Sequence, residues 1–580
     1  MFKLLKKTFL DTSFNALFLA TILLVGISSC LAQTNDYGEN LGVAFEQQIA
    51  QNQVNQQDSF FVGTNLSSVA DWSTEIPFID AFKSARPWIT QCLPRETGCS
   101  GTWDTREYNQ LNLDEFGWVK SLPSPEATPE YTRVATLMFR NVDNYLGGKY
   151  IVTYDGEGTI EYKYDARKDE VASVRGRDII EVTPSDKGIY LIITATDPNG
   201  TGNYIRNIHV VPEEYENSYQ DKIFNSKFLE KIHTFSDLRF MDWMATNNSS
   251  QSEWSNRPKP EQYSYYHSLG GVPLEVMLKL ANCVDANPWF NMPHMATDEY
   301  MHKFAKLVKN TLKPDLQVYV EYSNEVWNTQ FQQGAWIENQ AKKEWQNVDK
   351  SPYAQRMHWH GKRTAQMCEI WDQEFGSQSN RVICALGSQA ANPWTATQGL
   401  ECPSWSEAPC QNHGIDAVAI APYFGSYLGK KKYVPEVENW NLDQLFAELN
   451  QGGILTESPN GGAIQKAMDN IDNNLAVTED KNLLLLAYEG GQHLVGSGGV
   501  ENNSKVTNLF IAANRDSRMY NTYLNYLNKL QESGINVFNH WLDIGAYSKW
   551  GSWGALEHLN QDKSPKYNAL MNFIRKIKTS

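Results

Sequence analysis

The chain has 580 residues, 41% of them hydrophobic and rich in Trp (18), Tyr (28) and Phe (24), with 51 basic against 67 acidic side chains for a formal charge of −16. That length exceeds what one core needs, so two or three domains are expected. So acidic a chain repels nucleic acid and anionic membranes and favours a neutral ligand, although a local basic groove could still take a polyanion. The aromatic surplus suits flat apolar ligand faces.

Residues 1–30 read as a targeting segment. Lys3, Lys6 and Lys7 make a positive start, and Phe14 to Ile27 is mostly apolar but too short to span a bilayer comfortably. It ends in Ile27-Ser28-Ser29-Cys30, which resembles a bacterial lipobox with Cys30 as the lipid-accepting first mature residue. Cleavage after Ala32 by an ordinary signal peptidase is the competing reading. Either implies a protein that is secreted or lipid-anchored at the bacterial cell envelope. Residues 31–60 are polar, rich in Asn and Gln, and read as a leader or tether. Export permits disulfides. Cys92 and Cys99, and Cys402 and Cys410, are placed to close locally, which leaves Cys283, Cys368 and Cys384 as an odd set with at least one free, buried thiol expected. No Cys or His spacing matches a zinc site, so neither a metal nor a cofactor is called for.

From Phe61 the pattern is a strand, Phe61 to Asn65, then a helix over Ile76 to Ala85. Residues 88–217 change texture: short period-two segments such as Lys149 to Tyr154, Thr159 to Tyr164, Tyr190 to Thr194 and Tyr204 to Val210 lie between turn residues. About eight such strands predict an inserted antiparallel sandwich or jelly roll, with a supporting or ligand-binding role. Helix and strand then alternate to the end. Helices are expected at Asn225 to Phe235, Pro273 to Val284 and Asp298 to Leu312. Strands are expected at Leu238–Met241, Pro288–Met292, Leu316–Tyr322, Val382–Leu386, Ala417–Ile420, Leu483–Ala487 and Val537–Trp541. Leu483 to Ala487 is apolar on both faces, as a parallel strand covered by helices must be. With Phe61 these make eight parallel strands, and the fold class predicted is α/β: a (β/α)₈ TIM barrel over residues 61–87 and 218–580, with the sandwich inserted after the first strand. A doubly wound open sheet is the alternative, but no early strand is followed by a Gly-rich phosphate turn.

In such a barrel the carboxyl ends of the strands form the active face. Those ends carry Arg239, Asp242 and Trp243 after strand two, His294 after strand three, and Ser323-Asn324-Glu325-Val326-Trp327-Asn328 after strand four. Tyr423 follows strand six, Glu489-Gly490-Gly491 strand seven, and Trp541 ends strand eight. Two carboxylates among hydrogen-bonding and aromatic side chains, with no nucleophile elbow, suit glycoside hydrolysis: one carboxyl group protonates the leaving oxygen and the other attacks or activates water. Glu321 is the rival on strand four, but it lies inside the strand, where pairing with an arginine is expected. Trp327 and Trp394 could line a cleft. Asp242, Asp416 and Asp543 read as structural or supporting carboxylates.

The run Tyr319-Val320-Glu321-Tyr322-Ser323-Asn324-Glu325, with Glu489 ending an apolar seventh strand, resembles clan A of the retaining glycoside hydrolases. The resemblance implies Glu325 as acid/base and Glu489 as nucleophile. It further implies Asn324 on the substrate 2-hydroxyl, Tyr423 against the nucleophile, Trp541 stacked under the sugar, and, by position alone, Arg239 and His294 as substrate-binding. Val-Trp-Asn after the strand-four Glu and Pro422-Tyr423 on strand six depart from patterns seen in some members and leave the sugar open. The expected ligand is a β-linked polysaccharide or oligosaccharide. A non-catalytic carbohydrate-binding surface protein is the alternative, though a receptor has no need of a carboxylate pair.

Overall fold

The computed structural model describes residues 60–93, 99, 101–123, 130–346 and 348–579; the targeting segment, the polar leader and Cys30 lie outside them. Strand β1 (Phe61–Asn65) opens the barrel. The chain then leaves it for β2 (Ile89–Gln91), β3 (Asn112–Leu113), β4 (Val119–Ser121), β5 (Arg133–Met138), β6 (Gly148–Asp155), β7 (Gly158–Tyr164), β8 (Ala166–Lys168), β9 (Arg177–Val182), β10 (Ile189–Thr196) and β11 (Arg206–Pro212). It returns in β12 (Asp237–Arg239), β13 (Asn287–Met292), β14 (Val318–Tyr322), β15 (Val382–Gly387), β16 (Ala417–Ile420), β17 (Leu484–Ala487) and β18 (Val537–His540).

The order β1-β12-β13-β14-β15-β16-β17-β18 closes on itself through the parallel pairing of β1 with β18. Strand alternation separates two layers. Trp289, Tyr319, Ile383, Ala385, Ala417, Ala419, Leu486 and Val537 fill the barrel interior. Their neighbours Phe290, Val320, Cys384, Val418, Leu485 and Phe538 pack outward into the large core beneath the helices. The expected barrel is present, with strand ends within a few residues of expectation.

Between β1 and the first barrel helix, Ser226–Ile232, two antiparallel four-stranded sheets, β2-β5-β10-β7 and β11-β6-β9-β8, enclose one apolar core. The tight turns after β6 and after β10 do not make hairpins, because in each case the chain crosses from one sheet to the other. The sandwich is keyed to the barrel by the long loop after β12. From that loop Tyr263 sits in the sandwich core, stacked on Trp88 at 5.3 Å, and Ser264 donates to the Ala85 carbonyl.

Two expectations need correction. The helix over Ile76 to Ala85 is only a 3-10 turn, Ala81–Ser84. Pro77 keeps Ile76 out of the helical region, at φ 47°, and Asp80 spends its carboxylate on Phe82 N–H, His209 and Val210. The set Cys283, Cys368 and Cys384 does not stay unpaired. Cys92–Cys99 and Cys402–Cys410 pair as expected, but Cys368 also meets Cys384 of β15 with Cα atoms 5.7 Å apart. Cys368 lies near the end of a long helix, Pro352–Phe375, and only the folding of that helix onto β15 brings the two sulfurs together.

That helix also makes a very close backbone approach: a Cβ on Gly361 would lie 1.8 Å from the Gly399 carbonyl oxygen. Neither partner can yield without moving a helix. Gly361→Ala should cost about 1–3 kcal/mol in chemical denaturation, while Gly399→Ala, which meets only the tip of Leu386, should cost less. Equal midpoints for the parent and Gly361→Ala would refute the contact.

Candidate active site

Arg239 is the last residue of β12 and points into the barrel with no exposed surface. Its Nη1 donates to Glu489 Oε1 at 2.7 Å and Asn65 Oδ1 at 3.1 Å; its Nη2 donates to Glu321 Oε2 and Asn324 Oδ1, both at 2.9 Å. Tyr488 and Trp289 present ring faces 4.8 and 5.8 Å from its guanidinium carbon. Read from sequence as a substrate-binding residue, Arg239 is instead walled off by four acceptors and holds other side chains in place. Glu321, the rival carboxylate, is consumed beneath the site, where it also accepts from Trp289 Nε1 at 3.0 Å and Asn291 Nδ2 at 2.9 Å.

Glu489 stands two residues beyond β17, buried, with Oε1 on Arg239 and Oε2 accepting from the Tyr423 hydroxyl at 3.0 Å. Burial raises its pKa, and Arg239 and Tyr423 work against that rise. Glu325, three residues beyond β14, is only partly buried at the barrel mouth. The backbone turns sharply to deliver it: Ser323 and Glu325 have φ of 64° and 42°, the left-handed region that non-glycine residues avoid and that concentrates at functional sites. Asn328 Nδ2 donates to Glu325 Oε2 at 2.8 Å and the Tyr488 hydroxyl to Oε1 at 3.3 Å. Burial, and then the charge of Glu489, push the Glu325 pKa up to about 7. The structure therefore brings the two sequence-predicted carboxyl groups into one electrostatic unit and treats them differently. One is clamped by a cation, and the other is left able to hold a proton.

Asn324 is buried, with Oδ1 on Arg239 and Nδ2 donating to Asn247 Oδ1 at 3.1 Å. A carboxamide nitrogen has two hydrogens, so one remains for a ligand hydroxyl. Trp541 directly follows β18, is partly exposed, and is tied through its N–H to the Gly490 carbonyl beside Glu489. His294 is buried with its ring edge against Trp336 at 5.3 Å, and burial lowers its pKa to about 4. It makes no hydrogen bond to either carboxylate, because its ring lies in the packing of the outer helices instead. A polar cavity of about 390 Å³, lined by Ser68, Asp242, Asn247, Asn248 and His267 among others, adjoins Asn324 through Asn247. Among the described residues no three His, Cys, Asp or Glu side chains converge as metal ligands do.

Several functional partners escape a sequence reading. Asn65 ends β1 and accepts from Arg239 while donating to the Tyr488 carbonyl. Tyr488 precedes Glu489 yet serves Glu325. His493 and Trp553 flank Tyr423 at 5.3 and 6.0 Å. The only signals were position: Asn65 and Tyr488 sit at strand ends, and Asn328 lies one turn after Glu325.

Because Asn328 hydrogen-bonds the charged form of Glu325, its removal raises that pKa further. An acid with a pKa of about 7 loses its proton as pH rises, so kcat/KM should fall on the alkaline side of neutrality. Asn328→Ala should move that alkaline limb to higher pH and leave the acid limb in place. A pH–rate profile on a soluble oligosaccharide checks this; an alkaline limb that stays or moves down refutes it.

The chain matches no protein-family profile and no curated protein. Solved structures similar to it include a glycoside hydrolase family 5 broad-specificity endoglucanase from Clostridium longisporum (12% identity, 60% of this chain and 85% of that one, TM-score 0.35). A Bacteroidetes-affiliated family 5 cellulase linked with a polysaccharide utilization locus is similar at 10% identity, over 61% and 84% of the two chains, with a TM-score of 0.36. A xylanase from Thermotoga maritima is similar at 9% identity, over 63% and 92%, with a TM-score of 0.32. At these identities the likeness is one of barrel architecture, which this chain's own strand pairing establishes.

Proposed function

We propose that the chain is an exported glycoside hydrolase that cleaves β-linked polysaccharide with retention of configuration. The observation that carries this reading is the unlike pair Glu325 and Glu489 at the ends of strands four and seven of the barrel, coupled through burial and charge. Glu325 gives its proton to the departing glycosidic oxygen while an oxygen of Glu489 bonds to the anomeric carbon. Glu325, now ionised, then takes a proton from the water that displaces Glu489. Arg239 and Tyr423 favour the anionic form of Glu489 for attack, and when bond formation removes the charge of Glu489 the pKa of Glu325 falls, which suits Glu325 to act as the base in the return step. The spare N–H of Asn324 meets the 2-hydroxyl, and Trp541 offers a ring face below the sugar. A carbohydrate receptor would gain nothing from the buried, coupled acid.

Replacing Glu489 by Gln should abolish turnover with little change in folding. Glu325→Ala should slow poor leaving groups severely but spare the first step of an activated aryl glycoside, and azide should restore the second, giving a β-glycosyl azide from a β-glycoside. Near-parental activity of Glu325→Ala on the polysaccharide would end the assignment.

Export is supported by the basic, then apolar start of the sequence and by three disulfides among the described residues, which need an oxidising compartment. We take Cys30 as the lipid-accepting residue. Intact mass of the native protein should show a diacylated start at Cys30; a mature terminus at Gln33 would remove the lipid and keep export.

A further inference from the structure

The sandwich carries an aromatic surface that hydrolysis at the barrel mouth does not use. On the outer face of the sheet β2-β5-β10-β7, Trp103, Tyr164 and Tyr190 lie with planes within 20–30° of one another and centroids 4.9, 5.2 and 6.4 Å apart. Tyr190 is buried at their base with Ile89, Ala135, Leu137 and Ile192, whereas Trp103 and Tyr164 are each 49% exposed.

Strand alternation does not put Tyr164 there. Tyr164 pairs in register with Ile189, which faces the sandwich core, as do Ile160 and Tyr162 on the same strand. A regular strand would therefore turn Tyr164 inward. Its φ of 62° breaks the alternation and brings the ring round beside Tyr190, so an unfavourable backbone conformation is spent on exposing an aromatic face. Trp103 is held as firmly. Gln91 Nε2 donates to its carbonyl at 2.7 Å, the Tyr190 hydroxyl donates to Gln91 Oε1, and Thr105 is bonded to Thr90 through both N–H and hydroxyl. The Cys92–Cys99 bond closes the start of the same loop.

We propose that Trp103 and Tyr164 form a second glycan-binding site, a platform on the inserted sandwich that takes an uncharged β-linked polysaccharide chain. Fixed aromatic faces accept the axial C–H faces of sugar rings at low entropic cost. The rim supplies Glu161 and Lys163, a pair 3.7 Å apart and nearly half exposed, which can bond hydroxyl groups yet presents no net charge to attract a polyanion. Two rings and the half-exposed Leu93 fall far short of the roughly 800 Å² per partner that a stable protein complex buries, and a charge of −16 opposes a second copy. The choice of a neutral polysaccharide rests on the hydrolase reading; the geometry of the rings does not.

The test uses the full chain carrying Glu489→Gln, run by affinity electrophoresis through gels containing soluble β-glucan, xylan, β-mannan or β-galactan. At least one polysaccharide should retard it, and adding Trp103→Ala with Tyr164→Ala should weaken that retardation about tenfold, the worth of one to two ring contacts. Tyr164→Phe, which keeps the ring, should bind as the parent does. With Glu489 intact, the double variant should hydrolyse the matching tetrasaccharide with unchanged kcat/KM, which excludes misfolding. Equal retardation of parent and double variant, or no retardation in any of the four gels, overturns the platform. If retardation is lost in the double variant but the Glu489-intact chain hydrolyses nothing, the platform stands and the hydrolase reading falls.

Discussion

One buried cation organises the barrel mouth. Taking a guanidinium out of water costs several kcal/mol unless its donors are matched and its charge is met, and Arg239 meets that demand with two carboxylates and two carboxamides drawn from three other strands of the barrel. Each partner gains a fixed position in return. Glu321 is held below the site, Glu489 has one oxygen clamped and the other left to Tyr423, and Asn324 has its acceptor occupied so that only a donor remains. The carboxylates outnumber the cation, so Glu325, which has no arginine of its own, faces an excess of negative charge as well as burial and holds its proton to about pH 7. A single ion cluster thus clamps one Glu against a cation and leaves the other able to hold a proton.

The positions above that cluster depend on backbone geometry more than on side-chain type. Two left-handed residues, Ser323 and Glu325, turn the chain out of β14, and the turn is fastened by Asn328 N–H to the Glu325 carbonyl at 2.8 Å and by Gln333 Nε2 to the Asn324 carbonyl at 2.9 Å. Such fastening holds a strained conformation against relaxation. The loop after β12 has a double attachment: its stretch around Asn247 lines the polar cavity and meets Asn324, while Tyr263 is locked into the sandwich core. The inserted domain therefore braces one wall of the cleft, and its stability bears on the shape of the site.

By itself the sequence determined the barrel, the inserted sandwich and the two carboxylates. Period-two runs, apolar parallel strands and helical spacing are local signals, and the rule that chemistry lies at the carboxyl ends of barrel strands turns a list of strands into a short list of residues. Glu321 was legible as a paired strand residue for the same reason: a carboxylate inside a buried strand must find a cation. The helix expected over Ile76 to Ala85 failed where local pattern met a local exception, the residue before Pro77. What only the tertiary structure decided was who meets whom. Arg239 could be located at the mouth but not recognised as a clamp, since its four acceptors come from positions 65, 321, 324 and 489. Tyr488 serves the other strand's glutamate, Cys368 finds Cys384, and Tyr164 leaves its strand's inner face, because burial, charge and backbone turn are settled by neighbours far away in the chain.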